Sequence, residues 1–155
     1  MASCTVVHGD LLEQPVDAIV NPWNSNVIPW FLLIPQGVSG AILKRAGAGA
    51  FRPLLLAGYL KPGSALHAPA GKLPCKGIIH VAALTPLWTT TDDIVKNCIE
   101  SAVKIAIECD YKSLAIPLIG AGVGGKSPDD VIELLRSQLT DRNDSLDIRI
   151  IVYRP

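Results

Sequence analysis

Residues 9–24 read "GDLLEQPVDAIVNPWN". A Gly-Asp pair opens a turn, and Pro15 breaks the chain before "VDAIVN" (16–21). That run is short, apolar and β-branched, with turn formers on both sides. A strand buried on both faces reads this way. The residues after it do not. "NPWNSNVIPWFLLIPQGVSGAI" (21–42) mixes asparagines and serines with Trp23, Trp30 and Phe31, and Pro29, Pro35, Gly37 and Gly40 interrupt it. A core segment would not set such breakers among its best apolar residues. The stretch is expected to be a loop built to hold something, closed by a Gly-x-x-Gly turn ahead of a helix.

Working outward, strand-like runs recur at "CTVVHG" (4–9), "SALHAP" (64–69), "GIIHVAAL" (77–84), "SLAIPLIG" (113–120) and "DIRIIVY" (147–153). Helical periodicity covers 38–47, 49–58, 91–109 and 127–140. The third helix is the clearest, with a Thr/Asp start and apolar residues from Ile94 to Ala106 on one stripe. The fourth opens "SPDD", where Ser127 suits the N-cap, Pro128 the first turn, and the acids the positive helix end. Strands alternate with helices. The expected fold is therefore α/β, a three-layer α/β/α arrangement around a mixed, mostly parallel central sheet.

The 155 residues, 49% of them hydrophobic, are read as one domain spanning 1–155. Formal net charge is zero and no basic run occurs, which argues against an electrostatic nucleic-acid binder. The apolar run "VIPWFLLIP" is too short and Pro-rich to span a bilayer. The four cysteines lack CxxC spacing and match no zinc pattern, so free buried thiols, no metal and no cofactor are expected. With no secretory opening in view, a cytoplasmic or nuclear monomer is the expectation. His80, inside an apolar strand, reads as a satisfied core residue, and His8 as a minor candidate beside Asp10.

A second loop draws attention. "PLIGAGVGGKS" (117–127) joins a buried strand to a capped helix, and its glycines let backbone N–H groups turn toward an anion. "GAGVGGKS" (120–127) matches the P-loop pattern literally. No apolar run ending in Asp supplies a Walker B acid, and the loop comes late in the chain. A P-loop-like nucleotide binder is therefore the remote alternative.

With both loops in view, the chain resembles the macrodomain family, the ADP-ribose-binding α/β/α fold. The resemblance spans essentially the whole chain and rests on "GDLLEQPVDAIVNPWN" (9–24), "GVSGAI" (37–42) with "KRAG" (44–47), "GIIHVAA" (77–83) and "IPLIGAGVGG" (116–125). It implies that Asp10, beside Leu11, accepts from the adenine amine, and that Asn24 faces the distal ribose. It implies a first diphosphate loop of Gly37, Val38, Ser39 and Gly40, and a second over Ile119, Gly120, Ala121, Gly122, Val123 and Gly124. Asn21 and Trp23 complete the expected ligand-binding set, with Trp30 and Phe31 walling a lengthened lip.

The departures bear on catalysis. Family members that hydrolyse ADP-ribose from proteins commonly carry an Asp where this chain has Ser39, and another branch uses an Asp where Gly124 stands. Residues 25–40 contain no Asp or Glu at all. Asn24 and Ser39 are then the candidate catalytic residues, and a Ser39→Asp change is expected to raise turnover. The resemblance implies binding of ADP-ribose or ADP-ribosylated protein. The single-domain length tilts the expectation toward a hydrolase of ADP-ribose derivatives, with a non-catalytic ADP-ribose reader as the alternative.

Overall fold

The structure is a computed structural model that describes residues 3–24, 37–85, 87, 89–121 and 125–153. Chain order is β1 (Ser3–Gly9), a 3-10 turn (Leu11–Glu13), β2 (Ala18–Asn24), α1 (Gly37–Ala46), a second 3-10 turn (Ala48–Phe51) and α2 (Arg52–Ala57). Next come β3 (Ala65–Pro69), β4 (Gly77–Leu84), α3 (Asp92–Glu108), β5 (Ser113–Pro117), α4 (Pro128–Leu139) and β6 (Asp147–Tyr153). Among the described residues six strands form one sheet in the order β1-β6-β5-β2-β4-β3. All neighbours are parallel except β3, which closes one edge antiparallel to β4.

Period-two alternation sorts the sheet's side chains into two cores. On one face Ala18, Val20, Ile79, Val81, Leu114, Ile116 and Ile148 pack under α3 and α4. On the other, Ile19, Trp23, Ile78 and Ala115 pack under α1, the second 3-10 turn and α2, through Ile42, Phe51 and Leu54. Both faces are covered, which makes the three layers. The interior strand β4 is buried along almost its whole length, as its apolar run, interrupted only by His80, requires.

Helix starts obey local chemistry. Thr91 caps α3, its side chain accepting from the Ile94 N–H at 3.2 Å, and Ser127 caps α4 by accepting from Asp130 N–H at 3.2 Å. Three elements differ from the sequence reading, and the first is the strand expected over 113–120, which stops at Pro117. The strand expected over 16–21 runs on through Pro22 and Trp23 to Asn24, with a register shift between the last two. Proline is tolerated there because β5 pairs with β2 only at Ala18 and Ile19, so by Pro22 the strand has become an edge. The helix expected over 49–58 is a 3-10 turn followed by the short α2. The cysteines also depart from the expectation of buried thiols throughout. Cys98 is buried, but Cys109 is exposed and Cys4 and Cys75 lie between. Cys109 is the C-cap residue of α3, beyond the last buried position of that helix, Ala106.

Candidate functional site

β2 and β5 part company after Ile19. From β2 the chain moves outward to β4 and β3, and from β5 it moves the other way to β6. This is the switch point of the sheet, the place where a crevice opens beyond the strands' carboxyl ends. Both loops singled out in the sequence leave from it, one after β2 and one after β5.

α1 runs along one side of that crevice. Near its start, the Ser39 hydroxyl donates to Asn21 Oδ1 on β2 at 2.8 Å and lies 3.3 Å from the Pro22 carbonyl. In its last turn, Arg45 Nη1 reaches Asp10 Oδ2, past the end of β1, at 3.3 Å. Three strand spacings separate β1 from β2, about 14 Å. The ten residues of α1 cover about 15 Å. The helix therefore bridges the first-strand end and the switch point.

Ser39 lies in the first turn of α1, within the helix expected over 38–47 rather than in the loop the resemblance implied, and it is buried. Its partner Asn21 is fully buried and sits in register with His80 across β2 and β4. Asn21 Nδ2 is 2.9 Å from His80 Nδ1, and His80 Nε2 is 2.8 Å from the Ala50 carbonyl. Proton positions can be assigned by elimination. The Ala50 carbonyl only accepts, so His80 Nε2 carries the proton. Burial pulls the imidazole down to about 4, so it is neutral near pH 7 and Nδ1 must accept from Asn21 Nδ2. Asn21 Oδ1 is then left to accept from Ser39. Every member of this buried chain is satisfied, as a polar group inside an apolar layer must be.

Asp10 caps the first 3-10 turn, its Oδ1 accepting from the Leu12 N–H at 2.9 Å while Oδ2 holds Arg45. Leu11 is buried beneath that turn. Gly37 starts α1 at a φ of +59°, a left-handed value suited to glycine. Val38 and Gly40 are half-buried beside it, and His8 is exposed on β1.

In the second loop Ile119 is buried, Gly120 has a φ of +89°, and Ala121 bridges to Lys126. The Lys126 N–H donates to the Gly120 carbonyl at 3.1 Å, tying the loop's ends together. Gly120 is also crowded: a side chain there would meet Lys126 Cδ at 3.2 Å and Val95 Cγ2 at 3.2 Å. The Lys126 ammonium is paired with Asp92, and the Ser127 hydroxyl is occupied as the α4 cap. The lysine and hydroxyl that a P-loop would turn toward phosphates and a metal ion are both engaged elsewhere.

The sequence-derived residues thus sort unevenly. Asp10, Gly37, Ser39 and Gly120 surround the ends of α1 and the second loop. Trp23, expected to line the pocket, is turned into the core instead: it is 9% exposed and its ring centroid lies 5.8 Å from that of Phe51. Alternation along β2 places it on the face of Ile19 and Asn21, under α1 and α2. Asn24 ends β2, but its side chain, with Trp30, Phe31, Gly122, Val123 and Gly124, lies outside the described residues. Among the described residues no group of three or more His, Cys, Asp or Glu could hold a metal ion. Sequence reasoning missed Arg45, though a basic residue in a last helical turn was a signal. It also missed the Ser39–Asn21–His80 chain, whose trace is one polar residue at matching places in "AIVN" and "IIH".

Comparison with known proteins agrees with this architecture. The macro domain family model matches residues 20–135. A macro domain-containing protein of Streptomyces coelicolor, SCO6450, is 31% identical over 163 aligned positions, covering 99% of this chain and 92% of that protein. A protein of Enterobacter cloacae named O-acetyl-ADP-ribose deacetylase is 35% identical, covering 77% of this chain and 67% of its own length. Among solved structures, the macrodomain of Mycobacterium tuberculosis DarG superposes with a TM-score of 0.80 at 22% identity, over 100% of this chain and 99% of that one. The Oceanobacillus iheyensis macrodomain with ADP gives 0.79 at 21% identity, over 96% and 82%. With its family model, its relatives and its three-layer fold in agreement, this chain belongs to the macro domain family.

Proposed function

We propose that this chain binds ADP-ribose, free or attached to protein, in the crevice where β2 and β5 part, and that it hydrolyses an ADP-ribose derivative there. The observation that carries the reading is the switch point itself, flanked by a glycine at positive φ opening α1 and a second at Gly120. Small residues at those points let backbone N–H groups approach a diphosphate closely. Relatives named O-acetyl-ADP-ribose deacetylase and a structural neighbour solved with ADP support the ligand class.

In this reading Asp10 takes the adenine amine on Oδ2, the start of α1 and the second loop hold the diphosphate, and Asn24 faces the distal ribose. Hydrolysis of an O-acyl derivative adds water to the acyl carbon and releases a carboxylic acid and ADP-ribose. The protein's part is to align that water and to stabilise the developing oxyanion. Asn24, able to accept from water and donate to oxygen, is the residue assigned to alignment. Ser39 is withdrawn from the catalytic pair, since its proton is committed to Asn21 and its side chain is buried.

One observation favours a non-catalytic reader: residues 25–40 hold no carboxylate, and the hydroxyl in its place points inward. The two readings separate in one experiment. Calorimetry with ADP-ribose is run beside an assay of O-acetyl-ADP-ribose and of mono-ADP-ribosylated protein. Saturable binding with release of ADP-ribose supports the hydrolase. Tight binding without turnover decides for the reader, and no binding of ADP-ribose sinks both.

A further inference from the structure

The base end of the site contains a donor and an acceptor side by side. Asp10 Oδ1 is taken by the Leu12 N–H, so Oδ2 is the oxygen left for a ligand, and it already touches Arg45 Nη1 at 3.3 Å. The two side chains are 34% and 42% exposed, so the contact is open to solvent. A half-exposed, single-point ion pair contributes little stability and opens easily. The other N–H groups of Arg45 have no partner among the described residues.

Whatever binds Asp10 Oδ2 comes within one hydrogen-bond length of the guanidinium. A 6-aminopurine brings an N–H donor, which the carboxylate accepts. A 6-oxopurine brings an acceptor, O6, to that same place, with an N1–H donor one atom further along the edge. Against a bare carboxylate that oxygen would face another acceptor, an unpaired and costly arrangement. Beside Arg45 it finds a donor instead, because guanidinium carries several N–H groups in a fixed fork.

Resting on the proposal that Asp10 meets the base, we propose that Arg45 determines base selectivity: it lets the site accept 6-oxopurine as well as 6-aminopurine diphosphates. Asp10 serves the amino base and Arg45 the oxo base, with the ion pair as the resting state of both.

The test is calorimetry with ADP and with inosine diphosphate, on the wild type and on Arg45→Ala and Arg45→Lys, with ADP-ribose as the control ligand. The wild type is expected to bind the two diphosphates within about fivefold of each other, one hydrogen bond's worth. Arg45→Ala should widen the preference for ADP by a further factor of about five or more, mainly through loss of inosine diphosphate binding. Arg45→Lys, which keeps a donor, should fall between. An unchanged ratio in Arg45→Ala, with ADP-ribose still bound, overturns the role of Arg45 and leaves ADP-ribose binding standing. Failure of the wild type to bind ADP-ribose overturns the binding reading itself, and this inference with it.

Discussion

Ser39 donates its hydroxyl proton to Asn21 Oδ1 across 2.8 Å, from the first turn of α1 to the middle of the sheet. The bond has one direction only, because Asn21 spends its amide N–H on His80. Position 39 therefore asks for a donor. Ser39→Ala leaves a buried carbonyl oxygen without one and should lower stability by about 1–3 kcal/mol. Ser39→Asp is worse, since an ionised carboxylate only accepts and would meet both Asn21 Oδ1 and the Pro22 carbonyl. This reverses the expectation from the sequence that an acid here raises turnover. Urea melts of both variants, with turnover on O-acetyl-ADP-ribose, check it. A stable Ser39→Asp protein with raised activity would refute the assignment.

The same chain predicts how stability responds to acid. Burial is the largest cause of the low His80 value of about 4, opposed by its bond to the Ala50 carbonyl and aided slightly by the His67 charge. The ordinary value is 6.5, so between the two the unfolded chain binds a proton that the folded one refuses. Stability is then fully present above pH 6.5 and lost as pH falls toward 4, by on the order of 3 kcal/mol. Asp92 and Asp110, both held below the usual carboxylate range by hydrogen bonds from Lys126 and Lys112, act only at lower pH. Asn21→Asp offers a control. A carboxylate opposite Nδ1 stabilises the imidazolium, so His80 should hold its proton near neutrality and the loss between pH 6.5 and 4 should vanish. Ring-nitrogen NMR shifts report the tautomer directly. A wild-type ring protonated on Nδ1 at pH 7 contradicts the proton order.

Much of this was legible in the chain. The apolar run at 77–84, with His80 its one polar residue, read as an interior strand, and Thr91 and Ser127 announced the helices they cap. Gly37 and Gly120 stood out because loops that need positive φ select glycine. The polar chain through Ser39 was not legible, because it joins residues from three elements whose register only the folded sheet sets. Trp23 misled for a related reason: its neighbours Asn21 and Asn24 suggested a polar loop, while the strand in fact continued and alternation turned the indole inward.

Thiol reactivity separates the cysteines by environment. Cys98, buried in α3 with its sulfur 3.3 Å from the Ala82 carbonyl, has its pKa pushed up to about 12 by burial. Cys4 and Cys75 are also raised, again chiefly by burial. Thiolate is the reactive form. With iodoacetamide at pH 8, the exposed Cys109 should label first, Cys4 and Cys75 more slowly, and Cys98 only on unfolding. Peptide mass spectrometry gives the order. Early labelling of Cys98 in folded protein would contradict its placement.

Asp10 carries two tasks that substitution can separate. Asp10→Ala removes the cap on the Leu12 N–H and the partner of Arg45, and should cost about 1 kcal/mol of stability. It should weaken ADP-ribose binding by about 1–3 kcal/mol if the carboxylate meets the adenine amine. Asp10→Asn is the sharper probe. Its carbonyl oxygen can still accept from Leu12 N–H, which obliges the amide nitrogen to occupy the place of Oδ2. A donor then stands where an acceptor stood, beside the donors of Arg45. The folded protein should melt near the wild type, because the cap survives and the lost ion pair is half-exposed. Its base preference should invert, with inosine diphosphate bound more tightly than ADP. Calorimetry with the two nucleotides reads this as a change in sign rather than in size. If Asp10→Asn keeps a wild-type preference for ADP, the base does not meet Asp10, and the adenine end of the crevice lies elsewhere.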